Sequence, residues 1–496
     1  MRSIQLSAAV FIAVFAFGTT VQAEIPPHPS DLVFPPLDFT PPAASDYRHE
    51  LPGGVPVYLA PSREFPLIEI TFAFKGGSYL DPADQVGLGD ALGSMMRRGG
   101  TMTVSAEEMD ERFDFLAADV RSSLRAEQSS ASINCLKSNL RQACALFMDM
   151  IRNPGFNADR LRVYKDEIIE DLKQRNDRPM SVAMINLSEL IFGSDHYAGR
   201  QPTKASVESI TPDELRAMHG RIFHPGNLII AATGDFESEE MLAYLAGVLE
   251  GWPSGEAVDD PPAPRKTPAP GLYHADTAQK DLPQGTTVFV TRTVRRDDPD
   301  MIPLEVMNHI LGGGGFTSRI TRRVRSDEGL AYTAASFMRP QVYYPGMLNA
   351  FFMTSNSTVA FATRIVFEEI DRIRTEPVGA EELTLARNAF IERLPQQFAS
   401  KERTLRRFVD DELTGRDPAY WRDYRDSFGS VTADDVMRVA RKYLVPEEMI
   451  VLVVGPWEEI KDGDLEGRAR MSDFFEGEVT HLPMRDPLTL EPIAQK

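Results

Sequence analysis

Only two of the 496 residues are Cys, which excludes a disulfide-stapled scaffold and any Cys-rich metal cluster. Positive charge is also scarce: 53 Lys and Arg stand against 73 Asp and Glu, for a formal net charge of −20. Neutralising phosphates takes a basic face, so this balance argues against nucleic acid, and equally against an anionic membrane surface. No G-x-S-x-G nucleophile elbow and no G-x-x-x-x-G-K-[ST] phosphate loop occurs. None of the eight His lies three or four residues from another, which excludes a helix-borne two-His zinc site. His224, beside Pro225, reads as a capping or packing residue.

The start of the chain reads as an address. Arg2, the apolar stretch Ala8 to Phe17 and the small-x-small Val21-Gln22-Ala23 predict a cleaved secretory signal over 1–23. The stretch is too short, and too soon followed by Thr19, Thr20 and Gln22, to span a membrane. The expected product is exported, periplasmic if the source is Gram-negative, and not inserted in a membrane. In an oxidising compartment Cys135 and Cys144 can form a short disulfide loop or remain as two buried thiols.

Two Pro-rich stretches divide the remainder. Residues 24–45 hold seven Pro, an extended arm, and 253–270 hold six, a semi-rigid linker. The expected layout is an arm over 24–46, a first domain over 47–252, a linker over 253–270, a second domain over 271–485 and a tail over 486–496. Ser209, Thr211, Pro225 and Gly234 map onto Ser430, Thr432, Pro446 and Gly455 with a constant offset of 221 residues, the mark of an internal duplication. Each copy reads as α+β, a mostly antiparallel sheet packed with helices. Ile68, Ile70, Phe72 and Phe74 alternate with polar or small residues, as in a half-buried strand. Leu140, Cys144, Phe147 and Ile151 recur at helical spacing up to Asn153-Pro154-Gly155. Leu228 to Ala232 and Met449 to Val454 read as buried strands, and Ser105-x-x-Glu108 and Thr211-x-x-Glu214 as capping boxes.

The most unusual local feature is Gly312-Gly313-Gly314-Gly315-Phe316, where missing side chains let another backbone approach. A basic helix follows, then Arg325 and, seven residues on, Tyr332 at a helix-to-strand turn. This block resembles the second domain of the pitrilysin/insulinase peptidases, the inverzincins, to which the mitochondrial processing peptidase group belongs. The first half resembles their first domain through Lys75-Gly76-Gly77-Ser78, Gly87-Leu88-Gly89, Arg98-Gly99-Gly100-Thr101 and Phe223-His224-Pro225-Gly226-Asn227. The similarity runs from about residue 47 to about 485.

The departure from that family is as informative as the match. Peptide-cleaving members carry H-x-x-E-H where this chain has Asp90, Gly93 and Ser94, so both His and the general base are missing. Glu170 falls where the family's third ligand is expected. Zinc catalysis takes three protein ligands and an open water position, so no metal and no cofactor is expected in this chain. The resemblance implies that Arg325 and Tyr332 bind substrate and stabilise the oxyanion, with Gly312, Gly313, Gly314 and Gly315 as a substrate-binding loop. A chain with this half alone implies a homologous H-x-x-E-H partner that carries zinc, with peptides as substrates. The other expectation is a catalytically silent scaffold or peptide-binding protein.

Overall fold

Period-two burial turns into two six-stranded sheets. The computed structural model describes residues 38–279 and 281–493. The expected signal segment and most of the Pro-rich arm lie outside these residues, and the fold below belongs to the unit Thr40–Lys496. The first sheet contains β1 (Arg48–Leu51), β2 (Val55–Pro61), β3 (Leu67–Lys75), β4 (Asp119–Leu124), β5 (Gln128–Leu136) and β6 (Leu228–Gly234). Their spatial order is β1-β2-β6-β3-β5-β4. The second contains β7 (Gly271–Ala275), β8 (Gln284–Arg292), β9 (Thr333–Arg339), β10 (Met347–Ser355), β11 (Ile450–Val454) and β12 (Thr480–Leu482), ordered β12-β7-β11-β8-β10-β9.

The duplication read from the sequence is a duplication of topology. β2-β6-β3-β5-β4 and β7-β11-β8-β10-β9 correspond strand for strand, and β2/β6 and β7/β11 are the parallel pairs within this shared order. The outer strands differ: β1 forms an antiparallel hairpin with β2, whereas β12 lies parallel to β7. Thr211 caps Pro212–Ile222 and Thr432 caps Ala433–Tyr443, each through a full capping box. Ser105 accepts from the Glu108 N–H, but the Glu108 carboxylate turns to Arg112, so that expected box is half made.

One face of the first sheet packs on helices Leu88–Arg98, Leu140–Arg152 and Pro212–Ile222, burying Ile70, Phe72, Leu92, Phe147 and Leu215. The second sheet does the same with Val359–Thr375 and Ala433–Tyr443 around Phe289, Phe352, Ile365 and Val436. The other faces are covered reciprocally. Helix Pro179–Phe192, from the first half, lays Val182, Leu187 and Ile191 on Val288, Val290 and Leu452 of the second sheet. Helix Lys401–Leu413, from the second half, lays Leu405, Phe408 and Val409 on Tyr58, Ala73, Ile229 and Ala231 of the first. Each fully buried side chain of this kind contributes about 1.5–3 kcal/mol. Arg48 and Tyr58 both donate to Glu412 (Arg48 Nη2 at 2.9 Å, Tyr58 Oη at 2.5 Å), tying the hairpin to the same helix.

The linker is extended but pinned. Gly255 N donates to His224 Nδ1 (3.1 Å), Val258 N to Asn227 Oδ1 (3.0 Å), and Lys266 Nζ to the Glu189 carbonyl (2.9 Å). His224 is buried as a cap of this kind. Cys135 and Cys144 are both buried and free, and burial raises each thiol pKa to about 11, which leaves them unreactive. No helix among the described residues is long and apolar enough to cross a membrane.

Cross-packing makes the two halves one cooperative unit. Phe408→Ala is expected to destabilise the whole chain by about 3–5 kcal/mol, the usual range for a large core deletion. Urea unfolding followed by two probes should show one shifted transition, and separate transitions for the halves would contradict the arrangement.

Candidate functional site

The helix that would carry a zinc motif, Leu88–Arg98, begins at a left-handed Gly87 and is capped by Asp81. The Asp81 carboxylate accepts from Gly87 N and Gly89 N, both at 2.9 Å. Burial drives its pKa up to about 7, the two N–H bonds oppose the rise, and nearby Asp90 adds to it. Asp90 itself is open to solvent, yet the surrounding protein desolvates it enough to raise its pKa above the usual carboxylate range.

Gly93 shows why the family's general base has no place in this chain. A Cβ there would sit 2.6 Å from Leu124 N and 3.2 Å from the Ser123 carbonyl carbon, so the helix lies directly on the backbone of edge strand β4. Gly89, one turn earlier, is closed in too, with Leu124 and Ser78 2.9 Å from where its Cβ would stand. Ser122 Oγ donates to the Gly93 carbonyl at 2.7 Å. Glu170 lies on helix Ala158–Lys173, exposed, and accepts from Lys173 Nζ at 2.5 Å on its own helix. Asp90 and the half-buried Ser94 stand one turn apart on helix Leu88–Arg98, offering one carboxylate and one hydroxyl. Among the described residues no group of three or more His, Cys, Asp or Glu is gathered to hold a metal ion. The residues present do not fit zinc.

In the second half the glycine run serves packing first. Gly312 stands to edge strand β9 as Gly93 stands to β4: a Cβ would meet Ser336 N and Oγ at 2.6 Å. Gly313 and Gly314 are closed in the same way by Asn308 and His309, while Gly315, at φ +66°, has open space. Hydroxyls fix the loop: Ser318 Oγ donates to the Gly315 carbonyl (2.6 Å), Thr321 Oγ1 to the Ala334 carbonyl (2.8 Å), and Ser336 Oγ to Asn308 Oδ1 (2.7 Å). Two wide π-helical turns, His309–Gly313 and Arg322–Asp327, flank it, a distortion that recurs at functional sites.

The expected basic helix carries four Arg, and three are committed. Arg319 is held bidentately by Glu382 (2.8 and 2.7 Å), Arg323 pairs with Glu368 and Glu369 (2.8 and 3.1 Å), and Arg322 reaches Asp327 at 3.8 Å. Arg325 alone has no carboxylate partner among the described residues. Its guanidinium lies between two rings, 4.4 Å from the Phe316 centroid and 4.2 Å from that of Tyr332. Both rings are open to solvent, Phe316 at 66% and Tyr332 at 81%. Stacking occupies the faces of a guanidinium and leaves its N–H edges free to donate. Phe316 is the member that sequence reasoning missed; its only signal was an aromatic ending a run of four Gly. No hydrogen bond, ion pair or ring contact joins Arg325 or Tyr332 to Asp90, Ser94 or Glu170 among the described residues.

Residues 66–200 match the family described as Insulinase (Peptidase family M16), and residues 209–390 match Peptidase M16 inactive domain. The chain is 25% identical over 329 residues to the Helicobacter pylori protein named non-peptidase homolog YmxG, covering 65% of this chain and 74% of that one. The peptidase M16 inactive domain structure from Pseudomonas fluorescens superposes with a TM-score of 0.73 at 22% identity, over 82% of this chain and 97% of that chain. The periplasmic protease PqqL from Escherichia coli superposes with a TM-score of 0.67 at 17% identity, over 91% of this chain but 49% of that chain.

Gly93→Glu is expected to destabilise by about 1–3 kcal/mol or more through overpacking against β4. Asp90→His, Gly93→Glu and Ser94→His together should not create stoichiometric zinc binding; metal analysis of the purified variant checks this. Asp81 gives a pH signature. Its folded pKa is raised from 3.8 to about 7, so its contribution is full below about pH 4 and is lost as pH climbs towards 7. Stability should fall by on the order of 1.4 kcal/mol for each pH step within that window. Asp81→Asn should flatten this part of the stability profile, measured by urea midpoints between these pH values.

Proposed function

Because the chain belongs to the insulinase (M16) peptidase family but carries neither zinc-binding His nor general base, we propose that it is the non-zinc subunit of an exported, paired peptidase. It would supply the substrate-binding and oxyanion-stabilising half-site to a homologous partner that carries H-x-x-E-H. The observation that carries this reading is the contrast between the two halves: Gly93 sealed on β4, and Arg325 held ready between Phe316 and Tyr332 with no internal carboxylate among the described residues.

The roles follow from side-chain chemistry. Tyr332 is exposed, so its O–H can donate to the oxyanion that forms on a scissile carbonyl. Arg325, stacked on both faces, offers in-plane donors to a peptide carbonyl or carboxylate. The partner's zinc would supply the activated water, and this chain's residues bind and orient the peptide. Pairing is supported by size: this architecture corresponds to about half of PqqL, with 49% of that chain covered. Export is supported by the signal-like start and by the periplasmic description of that same neighbour.

A second reading, a peptidase-like scaffold or peptide-binding protein without a catalytic role, is favoured by the name of the Helicobacter relative. The two separate on one variant. In a complex with an H-x-x-E-H homologue, Tyr332→Phe should lower turnover by roughly 10²-fold, as for loss of an oxyanion donor. Turnover unaffected by Tyr332→Phe would favour the scaffold.

A further inference from the structure

A cavity of about 580 Å³ opens where the two halves meet, sharing no residue with the Arg325 site. It is bounded by the β4–β5 and β9–β10 hairpin ends and by the two exchanged helices. In a chain of net charge −20, its lining carries six cationic side chains against three acidic ones.

Most of these charges are committed. Lys75 pairs with Asp260 (2.7 Å), Arg296 with Asp297 (2.8 Å) and Arg416 with Asp411 (3.0 Å). Arg407 donates to Gln397 and lies 5.0 Å from the Trp421 ring centroid. Glu127 accepts from Tyr197 Oη at 2.7 Å. Besides Arg407, two guanidiniums have no ion pair among the described residues: Arg125, just past the end of β4, and Arg339, the last residue of β9, which lies 5.2 Å from the Phe337 ring centroid. Both are exposed, and they come from corresponding hairpins of the two sheets. Asp410 is the acid that acts on Arg125, and it is shared with Arg406 and Arg407. Beside these cations the wall is apolar, formed by Leu187, Ile191, Phe192 and Met347.

We infer that this cavity binds the free C-terminal carboxylate of a peptide, with Arg125 and Arg339 clamping the carboxylate and the apolar wall receiving the last side chains. Guanidinium forks match carboxylates bidentately, and a wall of aliphatic and aromatic groups suits a hydrophobic terminal residue. The volume lies within the range of ligand pockets, about 300–1,000 Å³. The inference concerns the isolated chain and does not depend on a zinc-bearing partner.

Fluorescence anisotropy with an N-terminally labelled tetrapeptide ending in Leu-Phe tests it on the full chain. The free acid should bind, its C-terminal amide should bind at least about 10-fold more weakly, and added salt should weaken the acid. Arg125→Gln and Arg339→Gln, on exposed positions that leave the melting curve unchanged, should each weaken the acid about 10-fold while leaving the amide alone. Arg325→Gln should change nothing, so a failure here is distinct from a failure of the pairing reading. Equal binding of acid and amide, no effect of either Arg variant, loss of binding with Arg325→Gln, or displacement by equimolar dodecanoate would each overturn the assignment.

Discussion

The structure depends on the exchange of one helix between its two halves. A single-faced sheet with one layer of helices would leave Tyr58, Ala73 and Ile229, or Val288, Val290 and Leu452, open to water. Helix Lys401–Leu413 covers the first set and helix Pro179–Phe192 the second, so neither half completes its own core. This is why β8, β6 and β11 are buried along almost their whole length while β4 keeps an alternating, partly exposed pattern. Hydrophobic burial across the halves fixes their relative position, and every feature at their junction inherits that rigidity.

On this frame the same local device has two outcomes. In each half a helix lies against an edge strand through a glycine, Gly93 on β4 and Gly312 on β9. In the first half the contact removes the space in which a general base could sit. In the second it anchors a loop whose next residues present Phe316, and beyond them the wide turn Arg322–Asp327 carries Arg325, with Tyr332 following. A guanidinium stacked between two rings, with no carboxylate within ion-pair reach among the described residues, is held in place without being neutralised, which suits it to meet charge from outside.

Much of this was legible in the residues, and what was not has physical causes. The alternation in β3 and the apolar runs of β6 and β11 reflect local periodicity, the 221-residue offset reflects a duplication written directly in the residues, and the sheets follow both. The Ser105 box was misread in part because a surface carboxylate at Glu108 finds an Arg one turn on, and local competition decides such pairs. Glu170 falls where the family's third ligand is expected, and its exposed carboxylate accepts from Lys173 on the same helix, a contact that the family pattern does not set. Contacts between distant segments left no local trace. The helix exchange, the isolation of Arg325 from the acids that hold Arg319 and Arg323, and the meeting of His274 with His481 (Nδ1 to Nδ1, 3.0 Å) are all of this kind.

The measurement that bears most directly on the central claim is cleavage of a generic fluorogenic peptide by this chain purified alone and by the same chain co-expressed with an H-x-x-E-H homologue. The account predicts no activity in the isolated chain and activity in the pair. Chelator-sensitive cleavage by the isolated chain would contradict the closed metal half, and silence in the pair would contradict the complementing one.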